Sequence, residues 1–437
     1  MKFYTKDGPL RFFGAGWEHA TAEKIAPDEM NEEKTSPIPI FYHAIQKGGE
    51  WKMARKANIG FLSTYPPYEC SVAEFTKELV HALDGADAFN TSVIAVSDPA
   101  MHVHGAKILH HIDREDRDAY ILAAHRLNKS DLDLIVIEHD YRIYGGAQGR
   151  HILDFMDHLE IPSVVTLHTV PHEPDRIRKQ IIQQMALKSG RIVTMSNNSK
   201  AILKSSYSVP SRKIAVIQHG VAANSAEDRD ALKKRFGFEG RAVLVSHGFL
   251  DPGNGLEYSI EAVAKLLHQN HDLVYLILGH AHSDPAGESY RRKLTNLVSL
   301  LDLENSVQFI DSHLTSEEIG MYIKMSDICL TTDLSQDHAV SGTLAQAIGC
   351  GRAVISTPYP YAEEMLADGR GMLADFEDAA SIARCVNHLI QNPDEKAFME
   401  ERALALGESM LWDKIALQYS KLFGTVLSSQ KAYLKAI

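Results

Sequence analysis

DLIVIEHDYRIYGGAQGR, residues 133–150, holds an unbroken apolar run from Leu134 to Ile137 that stops at Glu138, His139 and Asp140 and then reaches a pair of glycines. A strand with one wet face alternates; a continuous Val/Ile run needs cover on both faces, as inside a parallel sheet. The same form recurs on either side of it. Upstream lie NIGFLST (58–64) and TSVIAVSD (91–98), and downstream PSVVTLHT (162–169), RIVTMS (191–196) and KIAVIQHG (213–220). Between them run helical patterns such as VAEFTKELVHAL (72–83) and QIIQQMALKSG (180–190), the latter closed by Gly190. Strand and helix in repeated alternation predict a doubly wound α/β sheet.

The alternation pauses at VAANSAEDRDALKKRFGFEGR (221–241), which is polar and charged. It resumes with AVLVSHGF (242–249), LVYLILGH (273–280), SVQFIDS (306–312), ICLTTD (328–333) and AVIST (353–357), separated by helical patterns at 255–268, 286–301, 315–326, 342–350 and 377–390. A polar joint between two α/β units is the expected form of a domain boundary. Residues 56–224 are therefore read as one unit and 225–409 as a second. Residues 1–55, with mixed charge and the aromatic pairs Phe12–Phe13 and Phe41–Tyr42, fit neither unit and are read as an extension.

A chain of 437 residues suits two or three domains, and 45% hydrophobic with 23% charged residues is the balance of a folded soluble protein. The net charge of −12 argues against nucleic acid as the main partner, because phosphate backbones need a basic surface. The opening MKFYTKDGPLRFFGAG has no apolar core and does not read as a signal peptide; no stretch approaches the ~18 apolar residues of a membrane helix. The four cysteines form no CxxC pair, so neither a disulfide framework nor a zinc site is indicated, and a cytoplasmic location is expected.

Open parallel sheets bind ligands beyond the carboxyl ends of their strands, so the residues there are the candidates. STYPPYECS (63–71) opens a helix that suits an anionic group, or is simply a proline-rich loop. After the third apolar run, Gly145 and Gly146 allow a sharp turn and close approach to a ligand, and Tyr141 and Tyr144 suit stacking on sugar or peptide faces. The fourth run ends at His168, placed to touch a substrate between two domains, or a structural residue, as a lone histidine more often is. In the second unit, Gly248, Gly253 and Gly255 free the loop backbone of SHGFLDPGNGLEYSIEA (246–262) to face a phosphate, although it fits neither the Walker pattern nor the dinucleotide one. Ser341–Gly342–Thr343 stands at a helix start, where it forms an anion site or merely a cap.

These segments, in this order, resemble those of the retaining nucleotide-sugar glycosyltransferases of family 4. The likeness runs from about residue 56 to the carboxyl end. It is carried by FLSTYPPYECSVAEFT (61–76), TLHTV (166–170), QHGV (218–221), SGTLAQAIG (341–349) and ISTPYPYAEEMLADGRG (355–371), and is nearest to a bacterial subgroup with STYPPxEC, TLHTV and SGTLAxA motifs. The resemblance implies the GT-B fold, two doubly wound Rossmann-like domains facing a cleft. It implies an acceptor-side first domain, completed by a helix at 410–437 that crosses back onto it, and a nucleotide-sugar-binding second domain. It implies no cofactor and no metal, only a GDP- or UDP-linked sugar as co-substrate and a carbohydrate acceptor. The family's histidine beside the donor sugar falls on His168, and the helix start on the donor diphosphate falls on Ser341, Gly342 and Thr343.

The chain also departs from that pattern. The Arg and Lys expected in the loop after the second domain's first strand are Phe249 and Asn254, flanked by Gly248 and Gly255. The pair of glutamates eight positions apart is His338 and Gln346, and a small glycine of the first-domain loop is Ser71. His247 and Arg352 lie near strand ends and are candidate replacements for the missing cations. The expected function is transfer of a hexose, mannose or glucose, with retention. The alternative is a catalytically weak or inactive GT-B protein that binds a glycan, a nucleotide or a protein. A glycan phosphorylase fits poorly, because no pyridoxal-lysine motif is present.

Overall fold

The computed structural model describes residues 55–99, 101, 105–223, 225–269, 272–281, 285–311, 314–336 and 339–436, preceded by two short antiparallel strand pairs, Tyr4–Thr5 with Gly8–Pro9 and Ile45–Lys47 with Glu50–Lys52. Apart from those pairs, the extension expected over 1–55 lies outside the described residues, and so does His338.

Two parallel sheets carry the architecture. The first contains β1 (Ala57–Ser63), β2 (Phe89–Ser97), β3 (Ile108–Asp113), β4 (Leu134–His139), β5 (Ser163–Leu167), β6 (Arg191–Thr194) and β7 (Ile214–Val216), in the order β7-β6-β5-β4-β1-β2-β3. The second contains β8 (Ala242–His247), β9 (Leu273–Leu278), β10 (Val307–Ile310), β11 (Ile328–Thr331), β12 (Ala353–Ser356) and β13 (Gly371–Leu373), in the order β10-β9-β8-β11-β12-β13. Every residue of β4 and β9 is buried, as their unbroken apolar runs predict.

Two strands escape that reading. β3 carries His110 and His111 and closes one edge, with only Ile112 buried; β13 is three residues long at the other sheet's edge. Edge strands need no apolar cover on both faces. The run ending at Asp140 therefore belongs to the fourth strand, not the third, and the one ending at His168 to the fifth. The polar stretch 221–241 also contains a helix, Arg229–Phe236, capped by Asp228 and ended by left-handed Gly237.

Strand order reverses between β4 and β1 in the first sheet and between β8 and β11 in the second. Crevices at such reversals are where open α/β sheets take ligands.

The carboxyl-terminal helix Trp412–Ala436 packs on the first sheet. Ile415, Ala416, Tyr419 and Phe423 are wholly buried with Phe61, Phe75 and Leu79, and the Tyr419 hydroxyl lies 3.2 Å from Thr166 Oγ1. Ile415 and Phe423 each contribute about 1.5–3 kcal/mol by leaving water. The chain thus passes between the two sheets twice, and the passages run side by side: Val221 N donates to Met410 O at 2.9 Å and Trp412 N to Val221 O at 3.2 Å.

A second link joins the two halves. The helix Asn197–Ser205 of the first half starts under Glu364 of the second. Glu364 accepts from the backbone amides of Asn197 at 2.9 Å and Asn198 at 2.8 Å, and from the Asn197 side chain at 3.0 Å.

Candidate active site

β4 and β5 are parallel neighbours with Glu138 opposite Thr166, so the residues just past them come together. His168 N donates to His139 O at 2.9 Å, and His168 Nε2 lies 2.8 Å from Glu138 Oε2. His168 is 8% exposed, with the Phe75 ring set edge-on against it at 4.9 Å. Asp140 accepts from Arg142 N at 3.0 Å, Arg142 Nε at 3.1 Å and Thr169 Oγ1 at 2.5 Å. Burial opposes the charge on Asp140, but Arg142 and these hydrogen bonds outweigh it and hold the carboxyl below its ordinary range.

The tyrosines and glycines of this loop do something other than expected. Tyr144 is buried, its hydroxyl donating to Glu138 O at 2.7 Å and lying 3.1 Å from Leu62 O. Tyr141 is also buried, its ring facing the Arg178 guanidinium and the edge of His139. Neither ring offers a face for stacking. Gly145 and Gly146 do make the sharp turn, but what comes close is protein: a Cβ on Gly145 would collide with the carbonyl of Arg114, and one on Gly146 with the His151 ring.

Facing these loops is the carboxyl edge of the second sheet. Gly248 and Gly255 have left-handed backbone; Gly255, at φ 61°, begins the helix Leu256–Leu267, and a Cβ there would sit 2.5 Å from Thr332 O. The Asn254 side chain donates back to Phe249 O at 2.8 Å, and the Phe249 ring meets His280 edge-on. This loop holds itself together and contributes no cation. Ser341 caps the helix Gly342–Gly349, its hydroxyl accepting from Leu344 N and lying 2.9 Å from Thr343 Oγ1. The amides of Gly342 and Thr343 have no partner among the described residues, and Gln346, half-buried on this helix, keeps its side-chain amide free of them too.

Neither suggested replacement cation serves. His247 donates Nε2–H to Thr343 O at 3.2 Å, and burial pushes its pKa down to about 4, so it is neutral at pH 7. Arg352 precedes β12, at the amino edge, and lies 3.7 Å from Glu400.

Several residues that join the two sides were not singled out in the sequence. His219, within QHGV, lies edge-on to Phe75 at 5.1 Å, and its Nε2 would be 3.2 Å from a Cβ on Gly342. His168, Phe75, His219 and the helix start thus form one continuous wall. Burial, and to a lesser degree His168, hold the His219 pKa at about 4. Glu69, beside the exposed Ser71 of the first loop, pairs with His280 of the second sheet at 3.5 Å. Arg142 has an 88% exposed side chain whose Nη groups make no hydrogen bond among the described residues; Asp140 first, and to a lesser degree Asp251 of the opposite loop, favour its charged form. Pairings of this kind depend on which loops the sheets bring together, and no spacing in the sequence encodes that.

Two family models match the chain, the glycosyltransferase family 4 domain over residues 76–225 and the glycosyl transferases group 1 domain over residues 228–405. An uncharacterized glycosyltransferase of Methanocaldococcus jannaschii is 26% identical over 241 residues; the match spans 54% of this chain and 58% of that relative's length. Among solved structures, sucrose-phosphate synthase from Thermosynechococcus elongatus superposes with a TM-score of 0.70 at 15% identity, over 86% of this chain and all of that one. The Anabaena protein HepE in complex with UDP and glucose gives 0.68 at 15% identity, over 84% of this chain and all of that one. No helix among the described residues is long and apolar enough to cross a membrane. Two parallel sheets, a helix crossing back onto the first, and a glycosyltransferase domain model matching each half give this chain the GT-B fold of those solved structures.

Proposed function

We propose that the chain is a retaining hexosyltransferase that takes mannose or glucose from a GDP- or UDP-linked donor and passes it to a carbohydrate acceptor. One observation carries this reading: His168 of the first half and the open helix start at Gly342 of the second stand on one wall, bridged by Phe75 and His219. The unpartnered amides of Gly342 and Thr343 suit a leaving diphosphate, since a helix amino terminus carries about half a positive charge. Gly248, Asn254 and Gly255 would border the donor, and Gln346 and His338 its hydroxyls. The acceptor would enter past Ser71 and the turn at Gly145 and Gly146. HepE, whose structure contains UDP and glucose, supports a nucleotide sugar as the donor class.

A catalytically weak protein is the second reading, favoured by the self-bonded loop at Phe249 and Asn254, which leaves the diphosphate without a local cation. A cation within about 4 Å of a phosphate at an effective dielectric near 20 interacts by about 4 kcal/mol before desolvation. The two readings part on one experiment. The chain is incubated with GDP-mannose, UDP-glucose and related donors, with and without short oligosaccharides, and nucleotide release is measured. Release from at least one donor is expected. No release from any, with diphosphate affinity raised severalfold by Asn254→Lys plus Phe249→Arg, would favour the weak binder.

A further inference from the structure

Behind His168 lies a carboxylate that the reading above does not use. Glu138 is wholly buried on β4, and only one of its side-chain oxygens is satisfied: Oε2 by His168 Nε2 at 2.8 Å, with Oε1 buried and without a partner among the described residues. Its other neighbours are the buried hydroxyl groups of Tyr144 and Tyr419, both of which feel its charge. A half-satisfied buried carboxylate is costly, and such groups persist where their charge serves a site. Glu138 has no surface and so cannot touch a substrate. It can act only through the ring it holds.

A carboxylate accepts, so the hydrogen bond puts the imidazole proton on Nε2. Nδ1 is then a lone-pair nitrogen, and the one side-chain hydrogen bond of His168 among the described residues is through Nε2. The Phe75 ring packed against it at 4.9 Å and the bond from Nε2 to Glu138 Oε2 hold the ring in this pose.

We infer that Glu138 is a positioning residue that fixes His168 in the Nε2–H form and presents Nδ1 to the cleft as a hydrogen-bond acceptor for a hydroxyl of the transferred sugar. This rests on the proposed transferase reading, and it adds a chemical demand. The donor sugar must carry a hydroxyl where it meets His168, and a deoxy sugar at that position leaves Nδ1 unpaired.

The test has a readout that needs no substrate. Nitrogen-15 NMR of the histidine-labelled full chain, with His168 identified by His168→Gln, reports which ring nitrogen is protonated. A protonated Nε2 and a bare Nδ1 at neutral pH are expected. Glu138→Leu is expected to abolish that preference and to lower kcat at least tenfold, with KM for the nucleotide sugar within twofold of the parent. Glu138→Gln, whose amide oxygen still accepts, is expected to restore the tautomer and part of kcat. A proton on Nδ1 in the parent protein overturns the inference, as does a Glu138→Leu variant with unaltered tautomer. If Glu138→Leu does not fold, the parent spectrum and the Glu138→Gln variant decide. A correct tautomer in a protein that releases no nucleotide from any donor would sink the transferase reading and leave the dyad standing; turnover with the wrong tautomer would do the reverse.

Discussion

His168 stands between a buried carboxylate and an open cleft, and the other buried imidazoles around it are held neutral. Replacing His168 by Ala is expected to lower turnover at least tenfold, about 1.4 kcal/mol, while nucleotide affinity measured by calorimetry stays within twofold. Unchanged turnover would make it a packing residue. The neutral histidines carry a pH prediction. Burial lowers His139, His219 and His247 from 6.5 to about 4, so the folded state disfavours their protonation. Their stabilisation is complete above pH 6.5 and is lost as pH falls toward 4; a change of that size corresponds to about 3 kcal/mol per ring at most. Melting temperatures between pH 7 and pH 4 are expected to fall steeply, and His139→Leu to flatten part of that fall. An identical slope in the variant would contradict the assignment. At this scale the sequence was a partial guide. The position of His168 followed from its place past a buried strand, whereas its bond to Glu138, thirty residues away, follows only from β4 and β5 lying side by side.

Helices and strands were easier to anticipate where one physical demand dominated. Runs covered on both faces announced themselves as Val and Ile, so the central strands were legible, while β3, with two histidines on an edge, was not. The loop tyrosines misled for a related reason. Their aromatic faces serve the core as well as they would serve a sugar, and only burial separates the two uses. The helix Gly342–Gly349 gives the sharpest test of an element. Gly342→Asp puts a carboxylate where the diphosphate is expected, and it is expected to abolish nucleotide binding in a chain that still melts cooperatively. Full affinity in the folded variant would remove the helix start from the site. Ser341→Ala removes the cap together with the hydroxyl contact to Thr343 Oγ1 and is expected to cost about 1 kcal/mol of stability, read from denaturant midpoints.

Among the described residues, the groups that join the two halves include the paired passages at Val221 and Met410–Trp412, the Glu69–His280 pair over the cleft, the Asn198 side chain on Pro360 O, and Glu364 on the helix Asn197–Ser205. The last of these has a consequence for motion. A helix needs its first amides satisfied; Ser196 serves Ser199 N within this one, but the amides of Asn197 and Asn198 borrow their acceptor from the opposite domain, so parting the halves leaves those two unpaired. Glu364→Ala is expected to weaken the association of the halves by about 1 kcal/mol and to raise deuterium uptake at Asn197 and Asn198 severalfold, with the centre of β4 unaffected. Equal uptake in both proteins would show that the cap acts on nothing beyond its own helix. Those two amides are a built-in gauge: the rate at which they take up deuterium counts how often the two halves part.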